Sequence, residues 1–202
     1  DDGKPQGYSY DLCSRVIEMI GKSIGKDLKV QFTPVSTANR IALVANGTVD
    51  IECGSTTNML TRQEQVEFGP TYFFTGTRIA TKVGSGIKEA EDLAGQTVGI
   101  LPGSSNDRAL QKLNDEKKLG IRFVYYKDYA EGFLLLKTNR VDAIAGDGAP
   151  MSVYAATKVQ DPKDYEVVGR FLTPDPYAAM YGRGDPDFDL AVKRGFAELL
   201  DR

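Results

Sequence analysis

Two polar side chains stand at equivalent places in a unit of sequence that occurs twice. Ser55 follows Gly54 at the end of a short predicted strand, and Asp147 follows Gly146 in the same way. A hydroxyl group donates to a carboxylate, and a carboxylate pairs with an ammonium group, so the two positions suit opposite ends of one molecule. The spacing therefore predicts a cleft that binds a small zwitterion from two sides.

The repeated unit sets the architecture that must position these groups. It runs strand, loop, helix and strand over residues 30–55 and again over residues 122–147, with Phe32 corresponding to Val124. Strands that alternate with helices indicate an α/β fold with mostly parallel sheets. Parallel strands bring ligand-binding groups together at their carboxyl ends, where glycine lets a ligand approach the backbone.

Hydrophobic periodicity predicts the individual elements. We expect strands at residues 28–32, 50–53, 97–101, 166–171 and 177–181, with a β-rich run at 72–83. We expect helices at residues 8–24, 36–46, 87–93, 148–158 and 190–200, and another after the loop at 102–106. Thr61 and Glu64 form a capping-box pattern, which places Arg62 in the first turn of a short helix.

Four charged or hydroxyl side chains are candidates for ligand contacts. Arg62 lies just beyond a Gly-Ser-Thr-Thr loop, where a guanidinium group beside hydroxyls could bind a carboxylate. Asp147 is either an ammonium partner or the cap of the following helix, and the two roles are compatible. Arg40 is either a second cleft arginine or an exposed helix residue, and Ser105 is either a donor to the ligand or a plain N-cap. If both arginines face the cleft, the ligand carries two carboxylates and one ammonium group.

Composition excludes several classes of function. The chain has 202 residues and a net charge of −3, which favours neither nucleic acid nor an anionic membrane as a partner. It contains no histidine, which excludes Ser-His-Asp catalysis and most zinc sites, so we expect no metal and no cofactor. Cys13 and Cys53 are either buried free thiols or, in an oxidising compartment, a disulfide.

Several motifs together resemble one family. The chain is similar over residues 7–202 to the glutamate/aspartate-binding proteins of bacterial amino-acid ABC importers, which belong to solute-binding protein family 3. The motifs that carry this resemblance are Asn39-Arg40-Ile41, Asn46-Gly47-Thr48, Glu52-Cys53-Gly54-Ser55-Thr56-Thr57-Asn58, Arg62-Gln63, Phe68, Thr75-Gly76-Thr77-Arg78 and Lys112-Leu113-Asn114.

The resemblance implies a role for each site residue. Arg62, Ser55 and Thr57 would hold the α-carboxylate of the ligand, with help from Ser105, and Asp147 would hold the α-ammonium group. Arg40, with Thr37 nearby, would face the side-chain carboxylate. Tyr129, the repeat partner of Thr37, stands where this branch often has a histidine near the ligand.

The resemblance also implies the fold, a type II periplasmic-binding-protein-like fold of two α/β lobes joined by two crossing strands. The expected first lobe is residues 1–74 plus 179–202, and the second is residues 75–178. By comparison with the family, we expect the sequence to lack the first strand before Tyr8, which contributes a second arginine toward the side-chain carboxylate, and the C-terminal helices.

The function implied is capture of glutamate or aspartate and its delivery to the membrane permease of an ABC importer. We expect a periplasmic protein whose signal peptide has been removed, with no enzymatic activity. A monomer is expected, although the missing strand leaves strand exchange or dimerisation open. Alternatives are the sensory domain of an amino-acid receptor or channel, a dehydratase on the same fold with Glu52 as its acid, and a scaffold without affinity.

Overall fold

Helices and strands alternate along the computed structural model, which describes residues 5–200. The helices are α1 (Tyr8–Ser23), α2 (Arg40–Ala45), α3 (Leu60–Gln63), α4 (Ser105–Lys117), α5 (Tyr129–Lys137), α6 (Gly148–Thr157) and α7 (Pro186–Leu200). The strands are β1 (Ile51–Glu52), β2 (Glu67–Thr75), β3 (Thr77–Lys82), β4 (Thr97–Ile100), β5 (Arg122–Tyr125), β6 (Ala143–Asp147), β7 (Tyr165–Val168) and β8 (Asp175–Tyr181). Short 3₁₀ turns lie at Ala90–Leu93 and Pro162–Asp164.

The chain forms two compact units. Within the described residues, unit 1 runs to Phe74 and resumes at Pro176, and unit 2 is Thr75–Asp175. Unit 2 is therefore inserted into the sequence of unit 1. The outer limits of the predicted first lobe, Asp1 and Arg202, lie outside the described residues.

Unit 1 is built around a small sheet with strand order β1-β8-β2. The apolar face of α1 packs with α7, and Val16 and Phe196 are fully buried. Gly195 permits this packing, because a Cβ at that position would lie 2.8 Å from the Cγ1 of Val16. The helix predicted at residues 8–24 is confirmed, since its spacing of apolar residues is that of an amphipathic helix.

Unit 2 is built around a sheet with strand order β5-β4-β6-β3-β7. Strands β5, β4 and β6 are parallel, whereas β3 is antiparallel to both β6 and β7. The sheet is thus mixed, where we expected a mostly parallel one. The antiparallel pairs are those of β3, which lies between β6 and β7 and follows β2 of the other sheet after Gly76 alone.

The strand predicted at residues 28–32 is wrong. This segment has no regular secondary structure, and no strand among the described residues pairs with it. Its alternating apolar side chains Leu28, Val30 and Phe32 are exposed. An alternating pattern produces a strand only where a neighbouring strand takes up its backbone hydrogen bonds.

Three local predictions need correction. The helix expected from residue 36 begins at Arg40, because the Asn39 side chain accepts a hydrogen bond from the Ser36 N–H (2.7 Å) and holds the chain in a turn. The capping box is absent, since α3 begins after Met59, whose carbonyl accepts from the N–H of Arg62. The helix expected at 87–93 is reduced to the 3₁₀ turn Ala90–Leu93.

Candidate functional site

Unit 1 buries three charged side chains close to the loop that follows β1. Arg40, Glu52 and Arg62 are 8%, 7% and 4% exposed. Charged side chains are rarely buried unless they are paired or serve a function, because leaving water is costly. The loop begins at Cys53, which forms a disulfide with Cys13 on α1 (Cα–Cα 6.3 Å). Of the two alternatives for the cysteines, the structure therefore has the disulfide. This bond anchors the start of the loop to a core helix.

Arg62 is positioned by this loop. Its Nη1 donates to the carbonyl oxygen of Thr57 (2.8 Å), and Thr57 itself pairs with Tyr177 as an isolated β-bridge. The carbonyl contact turns a buried guanidinium group toward the hydroxyl-rich loop. The structure thus places Arg62 beside Thr57 within unit 1, the arrangement that a carboxylate receptor needs.

Arg40, the first residue of α2, is the least satisfied of the buried cations in unit 1. Its Nη1 lies 3.4 Å from the carbonyl oxygen of Ser55 and 3.9 Å from Oε1 of Glu52, both long contacts. Its buried Nε has no hydrogen-bond partner among the described residues. The reading of Arg40 as an exposed helix residue is therefore wrong. Thr37 lies in the turn that precedes this helix.

Glu52 points into unit 1. Its Oε2 accepts a hydrogen bond from the Thr56 hydroxyl (2.7 Å). Burial raises the pKa of the Glu52 carboxyl above its ordinary value, while the Arg40 guanidinium and the Thr56 hydrogen bond act in the opposite direction. This placement disfavours Glu52 as a catalytic acid, because an acid must reach the reacting atoms.

Asp147 ends β6 in unit 2 and is 8% exposed. It stands at the N-cap position of α6, but its side chain makes no capping hydrogen bond there. Its backbone N–H donates to the Tyr129 hydroxyl (3.0 Å), which comes close because Gly146 has no Cβ to block it. Burial raises the pKa of Tyr129 well above its ordinary value, and the charge of Asp147 raises it further. Tyr129 therefore stays a neutral phenol that holds the end of β6.

Ser105 begins α4 and is buried. The reading of Ser105 as a plain N-cap is wrong, because Ser104 is the cap and its hydroxyl accepts from the Asp107 N–H (3.0 Å). The next residue, Asn106, accepts a hydrogen bond from the Thr77 hydroxyl (2.6 Å). Thr77 is in turn the register partner of Asp147 on β6. Within unit 2, Ser105 and Asp147 are thus connected through Thr77 of β3, which hydrogen-bonds to the neighbour of Ser105 and lies opposite Asp147.

Nothing in the sequence indicated a partly buried chain of hydrogen bonds in unit 2. The hydroxyls of Thr77 and Thr173 lie 2.9 Å apart, and Thr173 donates to the Asp175 carboxylate (2.9 Å). Gly76 makes this approach feasible, because a Cβ there would lie 2.3 Å from the carbonyl oxygen of Thr173. No local pattern signals a contact between residues 96 positions apart.

The candidate ligand-binding residues of the two units carry buried charges of opposite sign. Unit 1 presents the guanidinium groups of Arg40 and Arg62 close to Ser55 and Thr57. Unit 2 presents the carboxylate of Asp147, held by Tyr129 and linked to Ser105. Guanidinium groups are complementary to carboxylates, and a carboxylate is complementary to an ammonium group.

Two further findings concern residues 5–200. None of the helices in this range is long and apolar enough to cross a membrane. The same range contains no group of three or more histidine, cysteine, aspartate or glutamate side chains arranged to hold a metal ion.

Solved structures share this fold. An ancestral arginine-binding protein bound to arginine matches with a TM-score of 0.86 and 29% identity, over 100% of this chain and 85% of that one. A periplasmic binding protein of an ABC transporter from Brucella ovis, with glutathione bound, matches with a TM-score of 0.88 and 21% identity, over 100% of this chain and 63% of that one. The fold is the type II periplasmic-binding-protein fold, which confirms the predicted fold class.

The sequence comparison identifies the family. Residues 1–201 match the model of the bacterial extracellular solute-binding proteins, family 3, and the chain belongs to that family. The family is described as one of extracellular solute-binding proteins.

Curated relatives lie within the branch that the motifs indicated. The chain is 40% identical over 186 residues to a glutamate/aspartate import solute-binding protein of Salmonella typhimurium, covering 92% of this chain and 61% of that protein. It is 38% identical over 199 residues to an L-glutamate/L-aspartate-binding protein of Pseudomonas aeruginosa, covering 98% of this chain and 66% of that protein. The chain therefore spans less than two thirds of the length of these relatives.

Proposed function

We propose that the protein binds an acidic amino acid, glutamate or aspartate, and presents it to the membrane permease of an ABC importer. The names of the curated relatives at 38–40% identity support this ligand class. Family membership supports an extracytoplasmic location, and we infer the periplasm as the compartment. The disulfide between Cys13 and Cys53 agrees with an oxidising compartment.

The observation that carries the acidic specificity is the environment of Arg40. Its guanidinium group is buried, makes only long contacts, and keeps one N–H without a partner among the described residues. A buried donor left unsatisfied costs about 1–3 kcal/mol, more when the group is charged. A second carboxylate on the ligand would supply the missing acceptor and a close counter-charge, whereas a neutral side chain would leave Arg40, within residues 5–200, with only its long contact to Glu52 as a counter-charge.

The proposed contacts divide the ligand between the two sets of side chains. The α-carboxylate binds to Arg62, Ser55, Thr57 and Ser105, and the α-ammonium group binds to Asp147. The side-chain carboxylate binds to Arg40, with Thr37 near it. We propose that Tyr129 also lies near the ligand. Its hydroxyl accepts a hydrogen bond from the backbone N–H of Asp147. Glutamate has a net negative charge, so its transfer from water requires this excess of cationic partners.

Isothermal titration calorimetry with L-glutamate, L-aspartate, L-glutamine and L-arginine tests the proposal. The parent protein should bind glutamate and aspartate more tightly than the other two. Arg62→Ala should raise the Kd for glutamate at least ~100-fold, about 2.7 kcal/mol, since a bidentate charged contact is lost. Asp147→Ala should weaken the free energy of binding by an amount on the order of several kcal/mol, because the ammonium group loses its counter-charge.

Matched controls separate the site from general effects of charge. Arg183→Ala removes an exposed arginine of unit 1, and Asp115→Ala removes an exposed aspartate of unit 2. Both controls should bind glutamate as the parent does. Parent-like binding by Arg62→Ala or by Asp147→Ala would refute the assignment of a common ligand to these two side chains.

A further inference from the structure

Glu52 is a buried carboxylate of unit 1 that has no place in the proposed ligand contacts. It ends β1, and its Oε2 accepts from the Thr56 hydroxyl at 2.7 Å. Its Oε1 lies 3.9 Å from Nη1 of Arg40. A Cβ at residue 54 would lie 2.5 Å from Oε1, so the side chain folds back over Gly54. Packing thus fixes this carboxylate beside the guanidinium group proposed to receive the ligand side chain.

Among residues 5–200, the charged and titratable groups that face Glu52 come from three elements. Arg40 lies on α2 and Arg62 on α3, and both stabilise the ionised form. Tyr72 lies on β2, and its hydroxyl donates to the carbonyl oxygen of Gly54 (2.6 Å). Burial opposes ionisation more strongly than these partners favour it, so the pKa of Glu52 is raised. The carboxyl is therefore closer to protonation than an exposed glutamate.

Ligand binding changes this balance. If the side-chain carboxylate of an acidic ligand contacts Arg40, then two carboxylates compete for one guanidinium group. Two like charges within a few ångströms of each other raise the affinity of the pair for a proton, because both cannot be ionised without a large cost. The ligand carboxylate can keep its charge by contacting the unused Nε of Arg40. Glu52 is the member of the pair that is already buried, and burial raises the pKa of its carboxyl.

We propose that Glu52 takes up one proton from solvent when an acidic amino acid binds, and stays ionised when a neutral one binds. This inference rests on the proposed function, because it requires a ligand carboxylate at Arg40. Glu52 then determines specificity without touching the ligand. When ionised it partly neutralises Arg40 and suits a neutral side chain, and when protonated it releases the full charge of Arg40 to a carboxylate.

Calorimetry of the parent protein in two buffers of different ionisation enthalpy at one pH measures the proton count directly. L-Glutamate should bind with net proton uptake, and L-glutamine should bind with none. The affinity for glutamate should fall as the pH rises above the value at which free Glu52 ionises, by at most about tenfold per pH unit. The affinity for glutamine should not fall over the same range.

The variant Glu52→Gln mimics the protonated state with nearly the same shape. Glutamate should bind to it without proton uptake and with an affinity that no longer depends on pH in this range, close to the tightest value of the parent. The control Glu64→Gln changes an exposed glutamate of the same unit, and it should take up protons like the parent.

The possible results distinguish a failure of the proposed role of Glu52 from a failure of the proposed function. Proton uptake that persists in Glu52→Gln, or glutamate binding by the parent with no uptake, overturns the role of Glu52 and leaves the proposed function standing. A parent protein that binds no acidic amino acid at any pH overturns both. The parent measurements need no variant, so a folding defect in Glu52→Gln does not prevent the decision.

Discussion

The two copies of the repeat share a sequence plan but fold to different extents. In the second copy, β5, α5 and β6 all form, and Val124 packs against the core of unit 2. In the first copy, only α2 and the two-residue strand β1 form, and the counterpart of Val124, Phe32, is 54% exposed. The same pattern of residues has thus produced a complete unit in one place and a partial one in the other.

The difference lies in the neighbouring strands. In the second copy, β5 pairs with β4, and β6 pairs with both β4 and β3. In the first copy, β1 is an edge strand that pairs only with β8, and residues 28–32 have no strand partner among the described residues. Backbone pairing, rather than local propensity, decides whether such a segment becomes a strand.

Removal of the disulfide should have the largest effect on the difference in stability between the two copies of the repeat. Cys53, whose repeat counterpart is Ala145, directly follows β1, which pairs on one side only among the described residues, so the bond to Cys13 replaces the second neighbour. Replacing both cysteines by alanine should lower the free energy of unfolding by about 2–4 kcal/mol. Hydrogen exchange should show the loss of protection in unit 1, and the amides of β6 should remain protected. Equal loss in both units would contradict this account.

The paired positions Val124 and Phe32 should give an effect of intermediate size. Val124→Ala removes two methyl groups from the core of unit 2 and should cost about 1.5 kcal/mol. Phe32→Ala removes a larger but exposed side chain, whose ring centroid lies 5.7 Å from that of Tyr10. It should lower the free energy of unfolding by only about 0.5 kcal/mol. Chemical denaturation measures both values. A larger cost at Phe32 would mean that the first copy is better packed than its exposure shows.

The smallest contrast concerns the residues that end α2 and α5. Gly47 (φ 77°) and its counterpart Asn139 (φ 55°) both adopt the left-handed conformation that closes a helix. Gly47→Ala should cost about 1 kcal/mol for conformational reasons, because a Cβ there meets no atom within 4 Å. Gly47→Asn should cost less, since asparagine tolerates this conformation. Thermal denaturation of the two variants side by side would refute the equivalence if asparagine were the worse replacement.

The parts of the fold that depend on local pattern were predictable from the sequence. The periodicity of Leu12, Val16 and Ile20 predicted α1, and the apolar segment before Gly146 predicted β6. The motif around Arg62 indicated the family, which the comparisons confirmed. These features are set by residues that are close in sequence.

The parts that depend on distant partners were not predictable. The start of α2 shifted because the Asn39 side chain competes for a backbone N–H, and residues 28–32 stayed irregular without a neighbour. The chain of hydrogen bonds through Thr77 and Thr173 joins residues far apart in sequence. The contact of Glu52 with Thr56 is local, but its significance follows only from the burial of Arg40 beside it.

The strand order of unit 1 also governs the sequence of events on the ribosome. In that sheet β8 lies between β1 and β2, so the two strands made first have nothing to join them until residues 175–181 emerge. By then all five strands of unit 2 have been translated, and they can assemble without waiting. Among the described residues, β1 and β2 are therefore translated before unit 2, and the sheet that they share is completed only by β8, which is translated after it.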